Sequence, residues 1–185
     1  MATYFSDFKG IETPRLLIRP ITMDDLHACF SITSDVRLLA KLVALAPHKT
    51  VDECAIYVQS IIDQYKKNHH NWWVVIEKQS NHMIGFCGFV DYVARFERAE
   101  LGYMIAYESW NKGYATEACM AVVEYGFSHM KLHRIEATVD PENIASIRVL
   151  EKLTMQREGL MKERVICNGQ YHDRYMYGLI KSCTV

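Results

Sequence analysis

The stretch Trp110-Asn111-Lys112-Gly113-Tyr114-Ala115-Thr116-Glu117-Ala118 decides how the rest of the chain is interpreted. Before it, residues 101–107 alternate between two faces, as the residues of a half-buried strand do. After it, apolar side chains recur at helical spacing, at Ala115, Ala118, Cys119, Val122, Val123 and Phe127. The pattern therefore predicts a strand, a short loop and the beginning of a helix.

The loop has the composition of an anion-binding helix start. Gly113 allows a tight backbone turn, and Ala115 leaves room for a ligand beside the first helical turn. The first amides of a helix lack partners within the helix, and the helix dipole adds positive charge there. We therefore expect a phosphate or diphosphate to bind the backbone amides of Asn111, Lys112, Gly113, Tyr114, Ala115 and Thr116. The alternative is an ordinary turn before a core helix.

Two common phosphate-binding motifs are absent from this stretch. It contains neither Gly-x-x-x-x-Gly-Lys-Ser/Thr nor Gly-x-Gly-x-x-Gly. It instead resembles the diphosphate loop of the GNAT superfamily of acyl-CoA-dependent N-acyltransferases, Arg/Gln-x-x-Gly-x-Gly/Ala. Trp110 departs from the first position of that pattern, but it is similar to the RimJ/RimL-like branch of ribosomal-protein N-acetyltransferases, which shows Tyr/Trp-Gly-Lys-Gly-Tyr-Ala-Thr-Glu-Ala. In that resemblance Lys112 adds a point charge for the phosphates.

Composition indicates a globular protein without a general affinity for nucleic acid or for anionic membranes. The chain has 185 residues, of which 50% are hydrophobic, and we expect one domain over residues 1–185 with an N-terminal arm at 1–10. Its formal net charge of −1 gives no general attraction to nucleic acid or to an anionic membrane. The six cysteines form no Cys-x-x-Cys pair, and no signal peptide is evident. We expect reduced thiols and a cytoplasmic location.

Hydrophobic periodicity predicts the element order β-α-α-β-β-β-α-β-α-β-β. This is the order of the GNAT fold, and the resemblance covers roughly residues 12–179. It implies an α/β (α+β) architecture whose mixed, mostly antiparallel central sheet has about seven strands and about four flanking helices. Two more stretches carry the resemblance, Ala-Glu-Leu-Gly-Tyr-Met-Ile at 99–105 and Asp-Pro-Glu-Asn-Ile-Ala-Ser-Ile-Arg-Val-Leu-Glu-Lys-Leu at 140–153.

One local departure follows the second of these stretches. The family usually has Gly-Phe after Glu-Lys-Leu, whereas Thr154-Met155 stand here. We therefore expect the turn after this helix, and the acyl pocket near it, to differ from those of the family.

Two residues are candidates for proton transfer. Acetyl transfer from a thioester to an amine requires a base for the ammonium proton and can use an acid for the departing thiolate. Glu100 is our candidate base, because the resemblance places it on the strand that separates from its neighbour to admit the pantetheine arm. The alternative is a structural ion pair of Glu100 with Arg98, Arg134 or another cation.

Ser146 is our candidate acid, because many family members use a tyrosine at the position that Leu150 occupies here. RimL-like enzymes resemble this chain in offering a hydroxyl one turn earlier. The alternative is a serine bonded back to its own helix. Asn143 is expected either to bind the pantetheine arm, as the matching family residue does, or to act only as a helix N-cap.

The backbone amides of Met104 and Ile105 are expected to extend a sheet-like ladder to pantetheine. The resemblance thus implies an acetyl-CoA-dependent N-acetyltransferase with acetyl-CoA as cosubstrate, no metal and direct transfer to an amine acceptor. The acceptor is a protein N-terminus or a small amine such as a polyamine or antibiotic, and a homodimer is possible. The alternative is a catalytically silent acyl-CoA-binding module. His69-His70 lies in a polar stretch and is expected to be solvated rather than metal-bound.

Overall fold

The computed structural model describes residues 8–39, 47–67, 71–167 and 169–181. Expectations about the first residues of the arm, the His69-His70 pair and Asn168 of the last hairpin fall outside these ranges. The apolar pattern also predicts a short helix over residues 35–45, of which residues 40–45 fall outside these ranges.

Eight strands and five α-helices are found in the described residues. The elements are β1 (Ile11–Glu12), β2 (Leu16–Pro20), α1 (Leu26–Thr33), α2 (Val36–Leu39), α3 (Val51–Lys67), β3 (Asn71–Glu77), β4 (His82–Val93), β5 (Arg98–Ile105), α4 (Tyr114–Ser128), β6 (Arg134–Val139), α5 (Ile144–Lys152), β7 (Gln156–Cys167) and β8 (Gln170–Ile180). The strands form one sheet in the order β1-β2-β3-β4-β5-β6-β8-β7. The expected α/β class and mixed, mostly antiparallel sheet are confirmed, and the two-residue β1 adds to the expected strands.

Local sequence explains the main elements around the sheet. Thr50 caps α3, since its hydroxyl accepts a hydrogen bond of 3.2 Å from the Glu53 amide. The hydrophobic core against the sheet includes Trp73, Phe86 and Phe89, which are fully buried. Among the described helices, none has the length and apolarity required to cross a bilayer.

The only parallel pairing in this sheet, between β5 and β6, is short. It joins Arg98–Glu100 to Arg134–Glu136. Beyond these residues β5 continues to Ile105 and β6 continues to Val139, but the two strands no longer pair with each other. The two strands therefore separate in the middle of the sheet.

The end of β5 differs from the expected strand over residues 101–107. The strand begins three residues earlier, at Arg98, and ends at Ile105, so that Tyr107 begins a short 3-10 turn. Two hydrogen bonds explain this end. The Trp110 indole N–H donates to the Ile105 carbonyl at 2.7 Å, and the Ser109 amide donates to the Ala106 carbonyl at 2.8 Å.

The turn after α5 is not altered in the way we expected. The Thr154 amide donates to the Glu151 carbonyl at 2.9 Å and the Met155 amide donates to the Leu150 carbonyl at 3.1 Å, which is the Schellman pattern. Thr154 has φ +61°, in the left-handed region that glycine normally supplies there. Met155 is buried. The chain thus keeps a glycine-type turn with a β-branched residue.

Candidate active site

A cavity of about 230 Å³ opens where β5 and β6 separate. It is bordered by both strands, by the first turns of α5 and by β8. The polar or ionisable side chains at its wall belong to Glu100, Tyr103, Thr138, Asp140, Asn143, Ser146 and Arg174. The predicted residues Glu100, Ser146, Asn143 and Met104 therefore line one cavity, although they come from separate parts of the chain.

The cavity is reached by side chains from opposite faces of the sheet. Successive strand residues point to opposite faces, so Glu100 and Tyr103 of β5 approach the gap from different sides. The Tyr103 hydroxyl donates to the Ser146 carbonyl at 3.1 Å, which places Tyr103 on the α5 side. Glu100 shares its side with Thr138 of β6, whose hydroxyl contacts it. A ligand in the gap can thus meet one set of groups from each face.

Glu100 is held by a neutral partner. The Thr138 hydroxyl donates to Glu100 Oε1 at 2.7 Å. The arginines that we considered as ion-pair partners, Arg98 and Arg134, instead both bond Glu136, the adjacent carboxylate on β6. Within the described ranges Glu100 takes part in no ion pair, so the structural alternative that we considered for it is not found.

Those two arginines stabilise the charged form of Glu136. Burial alone would raise the pKa of Glu136, but hydrogen bonds from Arg134 and Arg98 lower it below its usual value. Arg134 also pairs with Glu158 of β7. Glu136 is therefore a structural carboxylate, and Glu100 is the neighbouring carboxylate that keeps its face toward the cavity.

The first turns of α5 present Asn143 and Ser146 to the cavity. Asn143 is the N-cap, because its Oδ1 accepts a hydrogen bond of 3.1 Å from the Ser146 amide. The Ser146 hydroxyl makes no hydrogen bond with the part of the chain that is described, so it is not bonded back to its helix. Leu150, one turn further, is buried against the cavity and has no proton to donate.

Tyr103 is a cavity residue that the sequence did not bring forward. Burial raises the pKa of its phenol well above the usual value, so the hydroxyl stays protonated. Its bond to the Ser146 carbonyl ties β5 to α5 across the gap. The alternation of apolar residues in 101–107 placed Tyr103 in the strand but could not indicate this contact.

The loop before α4 has the geometry of an open helix start. Asn111 (φ +59°) and Gly113 (φ +82°) both have left-handed backbones, and residues 111–113 are exposed. The first intrahelical bond runs from the Glu117 amide to the Gly113 carbonyl at 3.1 Å. The amides of residues 114–116 precede that bond and so lack a partner one turn back. Tyr114 itself is buried, and its hydroxyl bonds the Glu77 carboxylate.

Arg15, at the end of the β1–β2 connection, lies against this loop. Its Nη1 donates to the Lys112 carbonyl at 2.9 Å and its Nε donates to Glu117 Oε2 at 2.6 Å. Its guanidinium carbon is 4.6 Å from the centre of the Tyr114 ring. Sequence reasoning assigned no role to Arg15, which stands in the run Glu-Thr-Pro-Arg-Leu at residues 12–16.

A second arginine, Arg174 of β8, lies at the cavity wall. It is only 8% exposed, and its Nη1 donates to Asp140 Oδ2 at 3.1 Å. The other Asp140 oxygen accepts the Glu142 amide at 2.9 Å. The pair closes the end of β6 beside Thr138. Across the described ranges, no group of three or more His, Cys, Asp or Glu side chains is arranged to hold a metal ion.

Comparison with known families assigns this arrangement. A family model described as "Acetyltransferase (GNAT) domain" matches residues 15–156, from Arg15 through the loop and the cavity to the start of β7. The chain belongs to the GNAT acetyltransferase family. The GNAT fold expected from the three sequence stretches is thereby confirmed, and the family implies acetyl-CoA as the donor.

Similar GNAT proteins cover nearly the whole chain. An uncharacterized N-acetyltransferase, p20 of Bacillus licheniformis, is 34% identical over 171 residues, which are 92% of this chain and 96% of the relative. The crystal structure of a GNAT acetyltransferase from Bacillus anthracis is 33% identical, with a TM-score of 0.82 and coverage of 92% and 98% of the two chains. The resemblance to N-acetyltransferases therefore extends well beyond the loop.

The fold is also that of RimL, as the sequence had suggested. The structure of this ribosomal L7/L12 alpha-N-protein acetyltransferase in complex with coenzyme A has a TM-score of 0.85, at 20% identity. The superposition covers 93% of this chain and 98% of RimL. At that identity the likeness concerns the fold alone.

Proposed function

We propose that this protein transfers an acetyl group from acetyl-CoA directly to a primary amine, in a complex that holds both substrates. The observation that carries the proposal is the cavity at the separating strands. A carboxylate (Glu100) and an unbonded hydroxyl (Ser146) both line this cavity, from opposite sides. Family membership supplies the reaction class. The residues that perform it are part of the proposal.

The donor is expected to lie along the free edge of β5. Its diphosphate binds the amides of residues 111–116, with Lys112 adding positive charge, and its pantetheine arm runs back past Ile105 toward Glu100. The Ala106 amide donates to Ile84 of β4, and amides alternate in direction along an antiparallel ladder. This favours Ile105 over Met104 as the residue whose amide faces the gap. Asn143 adds a side-chain contact.

The chemistry requires two proton transfers. Glu100 accepts a proton from the acceptor ammonium, and the neutral amine then attacks the thioester carbonyl carbon. The new C–N bond forms a tetrahedral oxyanion, which collapses as the C–S bond breaks. The Ser146 hydroxyl gives its proton to the leaving thiolate and is reprotonated, through solvent, by the second proton that the attacking nitrogen loses, while Glu100 releases the first proton to the solvent. Thr138 orients the carboxylate, because its hydrogen bond fixes one of the two oxygens of Glu100.

The charges at the wall favour an acceptor with an oxygen close to the amine. Glu100 attracts the ammonium, while Arg174, already neutralised by Asp140, has N–H groups left beyond the one bonded to it. A neutralised guanidinium suits an uncharged carbonyl oxygen, such as the first peptide carbonyl after a protein N-terminus. A polyamine offers no such oxygen. We therefore place a peptide α-amine ahead of polyamines and other small amines.

Release of free CoA thiol tests the proposal. The wild-type protein with acetyl-CoA should release thiol in the presence of short peptides with a free N-terminus, faster than with spermidine. The acetylated amine should be recovered in equal amount. Tight CoA binding without thiol release, across peptides and amines alike, would instead favour a silent binding module.

A further inference from the structure

Arg15 lies 102 positions before Glu117 in the chain but contacts the loop before α4. It joins the Lys112 carbonyl (2.9 Å), the Glu117 carboxylate (2.6 Å) and the Tyr114 ring (4.6 Å) in one contact set. The position that a Gly113 side chain would take lies 3.4 Å from its Nη2. Arg15 therefore contacts the carbonyl side of the turn, leaving the amide side open.

Glu117, one member of that contact set, carries a negative charge close to the proposed diphosphate site. It lies in the first turn of α4, where it would repel a diphosphate bound at the same helix start. Burial alone would raise its pKa, but hydrogen bonds from Thr13 and Arg15 lower the pKa below the usual value, so Glu117 is ionised at neutral pH. The Thr13 hydroxyl donates at 2.6 Å, and the Arg15 amide donates at 3.0 Å.

We propose that Arg15 is a positioning residue for the diphosphate of the acyl donor. It holds the Lys112 carbonyl away from the binding side, which keeps the loop amides directed outward, and it neutralises Glu117 next to the anion. The inference rests on the proposed binding of the diphosphate by this loop. It adds a residue from the start of the fold to a site otherwise formed by the centre of the chain.

An ordinary surface ion pair would behave differently. The Arg15 side chain is 48% exposed, and exposed pairs contribute little to folding stability. Removing a purely structural pair would change the folding stability slightly. It would change kcat/KM by the same factor for every acyl donor. A positioning role instead affects only donors that carry the diphosphate, which gives the test its readout.

The test compares acetyl-CoA with S-acetylpantetheine, which lacks the diphosphate. Arg15→Met should raise KM for acetyl-CoA about tenfold, with kcat little changed and an unaltered melting temperature. Its kcat/KM for S-acetylpantetheine should stay within about twofold of wild type. Arg157→Met is the matched control, because Arg157 also lies over a tyrosine ring (Tyr175, 4.6 Å) but far along the chain from the loop. Equal losses with both donors, or no loss with acetyl-CoA, would overturn the proposal.

Two further variants separate geometry from charge. Arg15→Lys keeps the positive charge but cannot reach both acceptors with one rigid fork, so it should restore KM only in part. Adding Glu117→Gln to Arg15→Met should recover about threefold of the lost affinity, because the uncompensated carboxylate is gone. A double variant that binds acetyl-CoA no better than Arg15→Met would contradict the neutralising role.

The same assay keeps the two proposals apart. If wild type uses S-acetylpantetheine as well as it uses acetyl-CoA, the diphosphate assignment of the loop itself fails. If wild type prefers acetyl-CoA strongly and Arg15→Met does not alter that preference, the loop stands and only the role of Arg15 is overturned.

Discussion

Thr138 of β6 donates a 2.7 Å hydrogen bond to Glu100 of β5 across the gap between two strands that have just stopped pairing. Glu100 is the last β5 residue paired with β6, and Thr138 lies two residues past its partner Glu136. The contact orients one carboxylate oxygen and leaves the other toward the cavity. The two nearby arginines, Arg98 and Arg134, pair with Glu136 instead.

Replacing Glu100 by glutamine tests the proposed base. The glutamine amide cannot accept the ammonium proton, so kcat at neutral pH should fall about 100-fold. CoA affinity, measured by titration calorimetry, should be nearly unchanged because Glu100 is not expected to contact the diphosphate. Glu142→Gln, an exposed carboxylate on the turn after β6, is the control and should retain full activity. Wild-type kcat in Glu100→Gln would remove Glu100 as the base.

Ser146→Ala removes the hydroxyl that is proposed to protonate the thiolate. We expect kcat to fall at least about tenfold, with a smaller effect for donors whose thiol is more acidic. Ser60→Ala is the control, because the Ser60 hydroxyl on α3 only bonds back to its own helix, at 2.7 Å to the Tyr57 carbonyl. If Ser146→Ala turns over at the wild-type rate, water or another group supplies the proton.

Gly113→Asp should reduce CoA affinity at least about 100-fold. The substitution forces a side chain into a left-handed backbone (φ +82°) and places a negative charge at the helix start. Gly169→Asp is the control for strain, since Gly169 has a similar φ of +76° and open space around it. It should lose some stability but bind CoA normally. Similar CoA affinities for the two variants would refute the loop assignment.

Thr154→Gly should stabilise the protein. A β-branched residue in the left-handed region destabilises the folded state by about 1–2 kcal/mol, which glycine would remove. Roughly half of this gain is lost again, because glycine increases the entropy of the unfolded chain. The melting temperature should therefore rise by roughly 2 °C. Thr154→Ala retains the Cβ and should give no rise. A melting temperature that does not rise for Thr154→Gly would show that the turn stores no such strain.

Much of the candidate site could be proposed from the sequence because its signals are local. A glycine between a strand and a helix identified the loop at residues 110–118, and the Asn-x-x-Ser spacing placed Asn143 and Ser146 on one helix start. The end of β5 was not predictable, because Trp110 determines it by bonding back to the Ile105 carbonyl. Alternation alone continues through Tyr107.

Contacts between distant segments could not be read from the sequence. Arg15 and Glu117 are 102 positions apart, and Glu100 and Thr138 are 38 apart. No periodicity links such pairs, since only the tertiary fold brings their segments together. At Thr154 the sequence suggested a change that the backbone does not show. The departure from the family pattern predicted a different turn, but the backbone hydrogen bonds after α5 are those of a glycine-type turn.

A crystal structure of the protein with bound CoA tests the central claim most directly. The account predicts the diphosphate on the amides of residues 111–116, on the side of the loop opposite the Lys112 carbonyl that Arg15 holds. It predicts the sulfur in the gap between β5 and β6, between Glu100 and Ser146. A diphosphate bound anywhere else, or a sulfur outside that gap, would contradict it.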